Sequence, residues 1–175
     1  MRPVPFTLII GCLMLSAVSC GRVAPQIPTQ RKGSAPKTDS TQTGLLELNQ
    51  QLTESADEQV RIAVEKDTIP YLLCEAGTWM TVMEAGDEMS AVPEENESWT
   101  LRLRVYDVEG QILSDSEQPY LIGRHELPAA VDKNIRTLHH GSKARLIAPW
   151  YTAYGIAGTK EVPPYENVII EIEIR

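Results

Sequence analysis

The last third of the chain constrains the fold most, because two apolar strands flank a loop with a tyrosine turn and a proline pair. Residues 141–149 (Gly-Ser-Lys-Ala-Arg-Leu-Ile-Ala-Pro) are typical of a buried strand that ends at proline. An Ala-Tyr-Gly turn at residues 153–155 and Val-Pro-Pro at residues 162–164 belong to the loop. Residues 168–174 (Val-Ile-Ile-Glu-Ile-Glu-Ile) predict the closing strand.

The middle of the chain has the period of a half-buried sheet. Residues 98–106 alternate strictly between two faces. One face carries Trp99, Leu101, Leu103 and Val105, and the other carries Arg102, Arg104 and Tyr106. Glu109-Gly110 is a hairpin signal, after which residues 111–113 lead into a polar stretch at residues 114–116. An earlier strand is predicted over residues 77–83.

Two segments carry helical periodicity. Residues 127–139 predict a helix with a buried stripe of Val131, Ile135 and Leu138, capped by Gly141. Residues 45–66 predict a longer N-terminal helix, which ends before Pro70 because the residue before a proline disfavours the helical conformation. Its narrow apolar stripe could pack on its own domain or on a second copy, which would give a homodimer through this helix.

This order of elements predicts an α+β fold, with an antiparallel β-sheet wrapped around one short helix and preceded by an N-terminal helix. The expected boundaries are residues 44–68 for the N-terminal helix and residues 75–175 for the sheet domain. A domain of about 100 residues can bury one core.

Residues 141–155 and 162–164 resemble the FKBP-type peptidyl-prolyl cis-trans isomerases. The family pattern Gly-Gly-Lys-Ala-Arg-Leu-Ile-Ile-Pro-x-x-x-Ala-Tyr-Gly is matched almost without interruption, and Val-Pro-Pro matches the family's Ile-Pro-Pro. The resemblance covers residues 75–175 and implies an FKBP-like fold that isomerises X-Pro bonds of polypeptides without a cofactor or a metal. Gly77-Thr-Trp79 after an acidic helix resembles, more narrowly, the gliding-motility-associated lipoprotein branch.

The resemblance also implies roles for individual residues. The expected catalytic residues are Tyr154, whose hydroxyl would bind a substrate carbonyl, Tyr106 as the strand tyrosine, and Ser114 at the position of a pocket Asp. The expected substrate-binding residues are Leu113, Tyr120, Leu127, Val131, Trp150, Val162 and Ile170.

Three departures from the family pattern favour weak catalysis. Leu113-Ser114 replaces a Phe-Asp pair, so the pocket carboxylate is missing unless Asp115 replaces it through a one-residue shift. Val131 stands where many members have a Trp. Aligned without a gap, Pro128 occupies the position of a backbone donor although proline has no N–H, and a one-residue slip of the alignment would remove this objection. The alternative function is a catalytically weak binding or chaperone module of a secretion or motility assembly. Trp150 could grip a client or pack down on its own loop.

The N-terminus predicts export. Arg2 and an apolar stretch at residues 4–18 are typical of a secretory signal. Residues 15–20 resemble a lipobox, so we expect a lipoprotein signal peptide at residues 1–19, lipidation of Cys20 and a flexible tether over residues 20–43. Gly21 after the Cys favours an outer-membrane anchor that faces the periplasm. The alternative is an ordinary signal peptide with an unrelated Cys.

The net charge and the spacing of the histidines argue against nucleic-acid binding and against a metal site. The formal net charge of −8 argues against nucleic acid as a partner. His125, His139 and His140 lack the spacing of a metal site, so no metal is expected. The expected partners are proline-containing polypeptides and a membrane, the latter through the lipid anchor.

Overall fold

The computed structural model describes the backbone of residues 40–175 and the side chains from residue 43 onward. The predicted signal peptide, Cys20 and most of the predicted tether lie outside these residues. The strands are β1 (Leu72–Leu73), β2 (Trp79–Glu84), β3 (Ser98–Asp107), β4 (Ile112–Leu121), β5 (Lys143–Ala148) and β6 (Val168–Ile174). The helices are α1 (Ser40–Lys66) and α2 (Ala129–Asn134).

The six strands form one antiparallel sheet in the order β1-β2-β5-β6-β3-β4. The chain therefore has the predicted α+β architecture, with an N-terminal helix and one short helix. None of the helices within residues 40–175 has the length and hydrophobicity that crossing a membrane requires.

The inner face of the sheet packs on α2 and forms the main core. Val105 on β3 and Leu146 on β5 both lie opposite Ile170 on β6, so three strands contribute to one apolar row. These residues expose at most 1% of their surface. The alternation predicted for residues 98–106 is confirmed, because its apolar positions face this core.

The outer face of the sheet is covered by the second half of α1. Val60 is 1% exposed and packs with Ile147 and Ile169 of the sheet. The first half of the same stripe stays open, since Leu45 and Leu48 are 57% and 51% exposed. Of the two alternatives for this helix, the structure shows packing on its own domain, through its C-terminal half. The helix also begins at Ser40, earlier than its sequence predicts.

The predicted bounds of the short helix are wrong. Leu127 is excluded because it precedes Pro128, which takes the extended N-cap position (φ −53°, ψ 144°). A 3₁₀ turn follows α2 at Ile135–Thr137, and Leu138 is already extended although its side chain is buried. Gly141 is therefore not the helix cap, and its N–H donates to the carbonyl of Ile174 beside β5.

The hairpin strand after Gly110 is longer than predicted. Residues 114–116, expected as a polar stretch after the strand, belong to β4. Ser114 and Ser116 lie opposite Val105 and Leu103, so their side chains share the inner face with these apolar residues.

Candidate functional site

Most of the predicted substrate-binding residues belong to the apolar core on the inner face of the sheet. A single apolar cluster contains Tyr120, Leu127, Val131, Val162 and Ile170. Leu113 and Tyr154 pack against this cluster and are only partly buried. We call these seven side chains together the candidate site.

Tyr154 is held at the candidate site by the backbone of its loop. The N–H of Ala153 donates to the carbonyl of Pro149 at 3.1 Å, and the N–H of Gly155 donates to the carbonyl of Trp150 at 2.8 Å. These hydrogen bonds make a tight turn on both sides of Tyr154 and aim its side chain at the cluster.

The hydroxyl of Tyr154 is a free donor. Burial, together with the nearby Tyr120 and Glu161, raises the pKa of Tyr154 to about 12. Within residues 43–175 no side chain or carbonyl accepts a hydrogen bond from this hydroxyl. The group is therefore protonated at physiological pH and available to an incoming carbonyl.

A carboxylate that sequence reasoning missed lies beside the site. Ser114 donates through Oγ to Oε2 of Glu161 at 2.7 Å, which joins β4 to the loop before Val162. The hydroxyls of Ser116 and Tyr120 are hydrogen-bonded at 3.2 Å on the same strand. Glu161 carries no local sequence signal, because only the path of the loop brings it opposite Ser114.

Asp115 does not replace the missing pocket Asp. Its side chain points to the outer face of β4, where it accepts hydrogen bonds from Arg102 at 3.0 and 2.9 Å. The hydrogen bond from Arg102 lowers the pKa of Asp115. The one-residue shift considered from the sequence is therefore not what the fold adopts.

Tyr106 lies on the opposite face from the site, against the sequence expectation. Its hydroxyl donates to Oε2 of Glu171 at 3.0 Å, and its ring packs on the cluster beneath α1. The reason is the alternation of β3, which turns Tyr106 away from the face that carries Val105.

Trp150 also points away from the cluster. Its indole packs edge-on against the rings of Tyr165 and Tyr151, with ring centroids 4.9 and 5.6 Å apart. These rings lie on the side of the loop that faces α1. Packing within the loop, one of the two alternatives from the sequence, is what the structure shows.

The apolar base of the site is closed. Val131, Val162 and Ile170 expose 0%, 1% and 0% of their surface, so they are covered by other core residues and line no open cavity. The apolar surface of the site that solvent can reach belongs to Leu113 and to the ring edges of Tyr120 and Tyr154.

Backbone donors at the start of α2 are scarce. Pro128 has no N–H, and its carbonyl accepts the N–H groups of Val131 and Asp132 at 2.9 Å. The N–H of Ala130 is taken by the carbonyl of Thr152 at 2.9 Å. Position 128 therefore offers no backbone donor to the site.

The site contains no obvious place for a metal. Within the described part of the chain, no three His, Cys, Asp or Glu side chains are grouped so that they could hold a metal ion.

Comparison with known proteins agrees with the architecture. No protein-family model and no curated protein matches the sequence. The crystal structure of a peptidyl-prolyl cis-trans isomerase from Pseudomonas syringae pv. tomato is similar, with a TM-score of 0.58 and 23% identity. The match covers 70% of this chain and 92% of that protein. This likeness confirms the FKBP-like α+β fold that the sequence predicted.

Proposed function

We propose that the chain is a peptidyl-prolyl cis-trans isomerase of the FKBP type that acts on proline-containing polypeptides. The observation that carries this proposal is the protonated Tyr154 hydroxyl, which has no hydrogen-bond partner among the side chains and carbonyls of residues 43–175 and lies against an apolar cluster. The likeness of the fold to a prolyl isomerase supports it.

Such a site needs no covalent chemistry. Rotation of an X-Pro bond crosses a barrier of roughly 18–20 kcal/mol, because the twisted amide loses its resonance. A site that binds the twisted amide more tightly than the planar one lowers this barrier. Here Leu113 and Tyr120 offer apolar contacts for the prolyl ring, and Tyr154 donates to a substrate carbonyl. The hydrogen bond between Ser114 and Glu161 holds the two sides of the site together.

A protease-coupled assay on a short X-Pro peptide tests the proposal. We expect the wild type to accelerate isomerisation and Tyr154→Phe to lower kcat/KM about tenfold, as the loss of one hydrogen bond of about 1.4 kcal/mol implies. Tyr165→Phe is the matched control, since it removes the hydroxyl of a tyrosine that is 48% exposed. A wild-type protein that does not accelerate isomerisation would rule out the proposed isomerase function.

A catalytically weak FKBP-like binding or chaperone module of a secretion or motility assembly is the second candidate. The closed base of the site and the missing N–H at Pro128 favour it. It predicts that a Pro-containing peptide shifts the NMR signals of residues 153–155 without faster isomerisation.

We further propose that the chain is a lipoprotein of the gliding-motility-associated type, anchored through Cys20 in the outer membrane, where it assists the folding of exported proteins in the periplasm. The sequence of residues 1–20 supports this. Mass spectrometry of the mature N-terminus, compared between wild type and Cys20→Ser, tests lipidation. Cell fractionation tests location.

We also propose a homodimer through the N-terminal helix. The exposed Leu45, Leu46 and Leu48 in the first half of α1 support this proposal. Sedimentation of wild type and of Leu46→Glu distinguishes a dimer from a monomer.

A further inference from the structure

One buried side chain joins the N-terminal helix to the loop that carries Tyr154. Asn167, which is 4% exposed, lies immediately before β6. Its Nδ2 donates to Oε1 of Gln59 on α1 at 2.8 Å. Its Oδ1 accepts the backbone N–H of Trp150 at 2.9 Å. The side-chain amide of Asn167 therefore bridges Gln59 on α1 and the backbone of Trp150 in the loop of residues 149–167.

A second contact links the same two elements. The hydroxyl of Tyr151 donates to Oδ1 of Asp57, which lies on α1 two residues before Gln59. Burial, together with this hydrogen bond, raises the pKa of Tyr151 to about 12, so the hydroxyl stays a donor over the physiological range. The indole of Trp150 lies edge-on against the rings of Tyr151 and Tyr165 beside this bridge.

The loop transmits this anchoring to Tyr154 through its own backbone. Pro149 and Trp150 accept the N–H groups of Ala153 and Gly155, the two residues that flank Tyr154. The backbone on both sides of the catalytic tyrosine is therefore tied to residues whose position depends on α1.

We infer that α1 positions the Tyr154 hydroxyl, and that Gln59, Asn167 and Tyr151 are positioning residues of the candidate site. The helix contributes no atom to the site itself and acts through the loop. The consequence for catalysis rests on the proposed isomerase function, whereas the consequence for the order of the loop does not.

Amide hydrogen exchange of the full chain tests the anchoring without any assay of activity. In Gln59→Ala, we expect the amides of Ala153 and Gly155 to exchange about fivefold faster than in the wild type, the effect of one ordinary hydrogen bond. Asn167→Ala removes both bonds of the bridge, and there we expect tenfold or more. Gln51→Ala, an exposed glutamine of the same helix, is the matched control and leaves both amides unchanged.

The amide of Leu146 in β5 separates local anchoring from global stability. Faster exchange at residues 153 and 155 with unchanged exchange at Leu146 supports the inference. Unchanged exchange in the loop of Gln59→Ala overturns it, as does equal acceleration at Leu146. Gln59→Ala decides this even where Asn167→Ala does not fold.

A double-mutant cycle then tests the link to catalysis. Introduced into the wild-type chain, Gln59→Ala and Tyr151→Phe are each expected to lower kcat/KM about fivefold. Introduced into the Tyr154→Phe variant, neither is expected to lower it further. An equal loss in both backgrounds overturns the link to Tyr154. If the wild type shows no isomerase activity, the proposed function fails, and the exchange measurement alone decides whether α1 anchors the loop.

Discussion

Gly158 allows a direct test of how tightly the loop beside the candidate site is packed. Its φ is +61°, and a Cβ built there would lie 2.4 Å from the carbonyl oxygen of Val162 and 2.7 Å from the carbonyl carbon of Pro163. The turn is closed by the N–H of Thr159, which donates to the same Val162 oxygen at 2.8 Å. The methyl group of Gly158→Ala therefore meets backbone that cannot rotate away.

Two costs add in this variant. A left-handed conformation costs a non-glycine residue roughly 1–2 kcal/mol. Backbone shifts forced by overpacking cost roughly 1–3 kcal/mol more. Gly110 is the matched control, because its φ is +92° but a Cβ there meets nothing within 4 Å. We therefore expect a loss of about 3 kcal/mol for Gly158→Ala and about 1–2 kcal/mol for Gly110→Ala.

Urea unfolding followed by circular dichroism measures both losses. The displaced turn also carries Glu161 and Val162, so Gly158→Ala is expected to lower kcat/KM on an X-Pro peptide, while Gly110→Ala leaves it unchanged. If Gly158→Ala costs no more stability than Gly110→Ala, the close approach of residues 158 and 162 is refuted, and with it the packing argument for this side of the site.

Three further predictions follow from burial and charge. Val60→Ala should lower the free energy of unfolding by about 2 kcal/mol, because the Val60 side chain on α1 is 1% exposed, whereas Met89→Ala, at a position 92% exposed, should change it by less than about 0.5 kcal/mol. Burial alone would raise the pKa of Asp67, but hydrogen bonds, chiefly from Tyr71, outweigh it and lower the pKa below the ordinary 3.8. The ionised Asp67 therefore stabilises the fold fully above pH 3.8, and this stabilisation is lost as the pH falls through the lowered pKa. The urea midpoints at about pH 6 and about pH 3 should consequently differ less in Asp67→Asn than in the wild type. Because the pKa of Tyr154 is raised to about 12, kcat/KM measured by NMR exchange should not fall through ionisation of this group below about pH 10, and an earlier fall that is absent in Tyr154→Phe would contradict the burial argument.

The positions that alternate with period two could be read from the sequence alone. Leu103 and Val105 occupy the inner face and Arg104 the outer face, as their spacing predicts. Tyr106 shows the limit of alignment by resemblance. The alternation of the strand already turned its side chain outward, and the structure follows the alternation.

The polar partners within the site and behind its loop could not be read in this way. Glu161 and Ser114 are 47 residues apart, and Asn167 and Gln59 are 108 residues apart. No periodic sequence pattern relates residues that are separated by so many positions along the chain. Their contacts depend on the path of a loop and on the register of β4, in which a slip of one residue would exchange Ser114 for Asp115.

By itself, the sequence determined the α+β class, the apolar faces of the strands and the tyrosine turn with its proline pair, because periodicity and turn chemistry act over a few neighbouring residues. Only the tertiary structure decided which side chains meet at Tyr154, that Val131 and Ile170 close the base of the site, and that α1 reaches the loop through Asn167. These outcomes depend on packing between distant segments, where the fit of volumes and the pairing of buried polar groups select one arrangement.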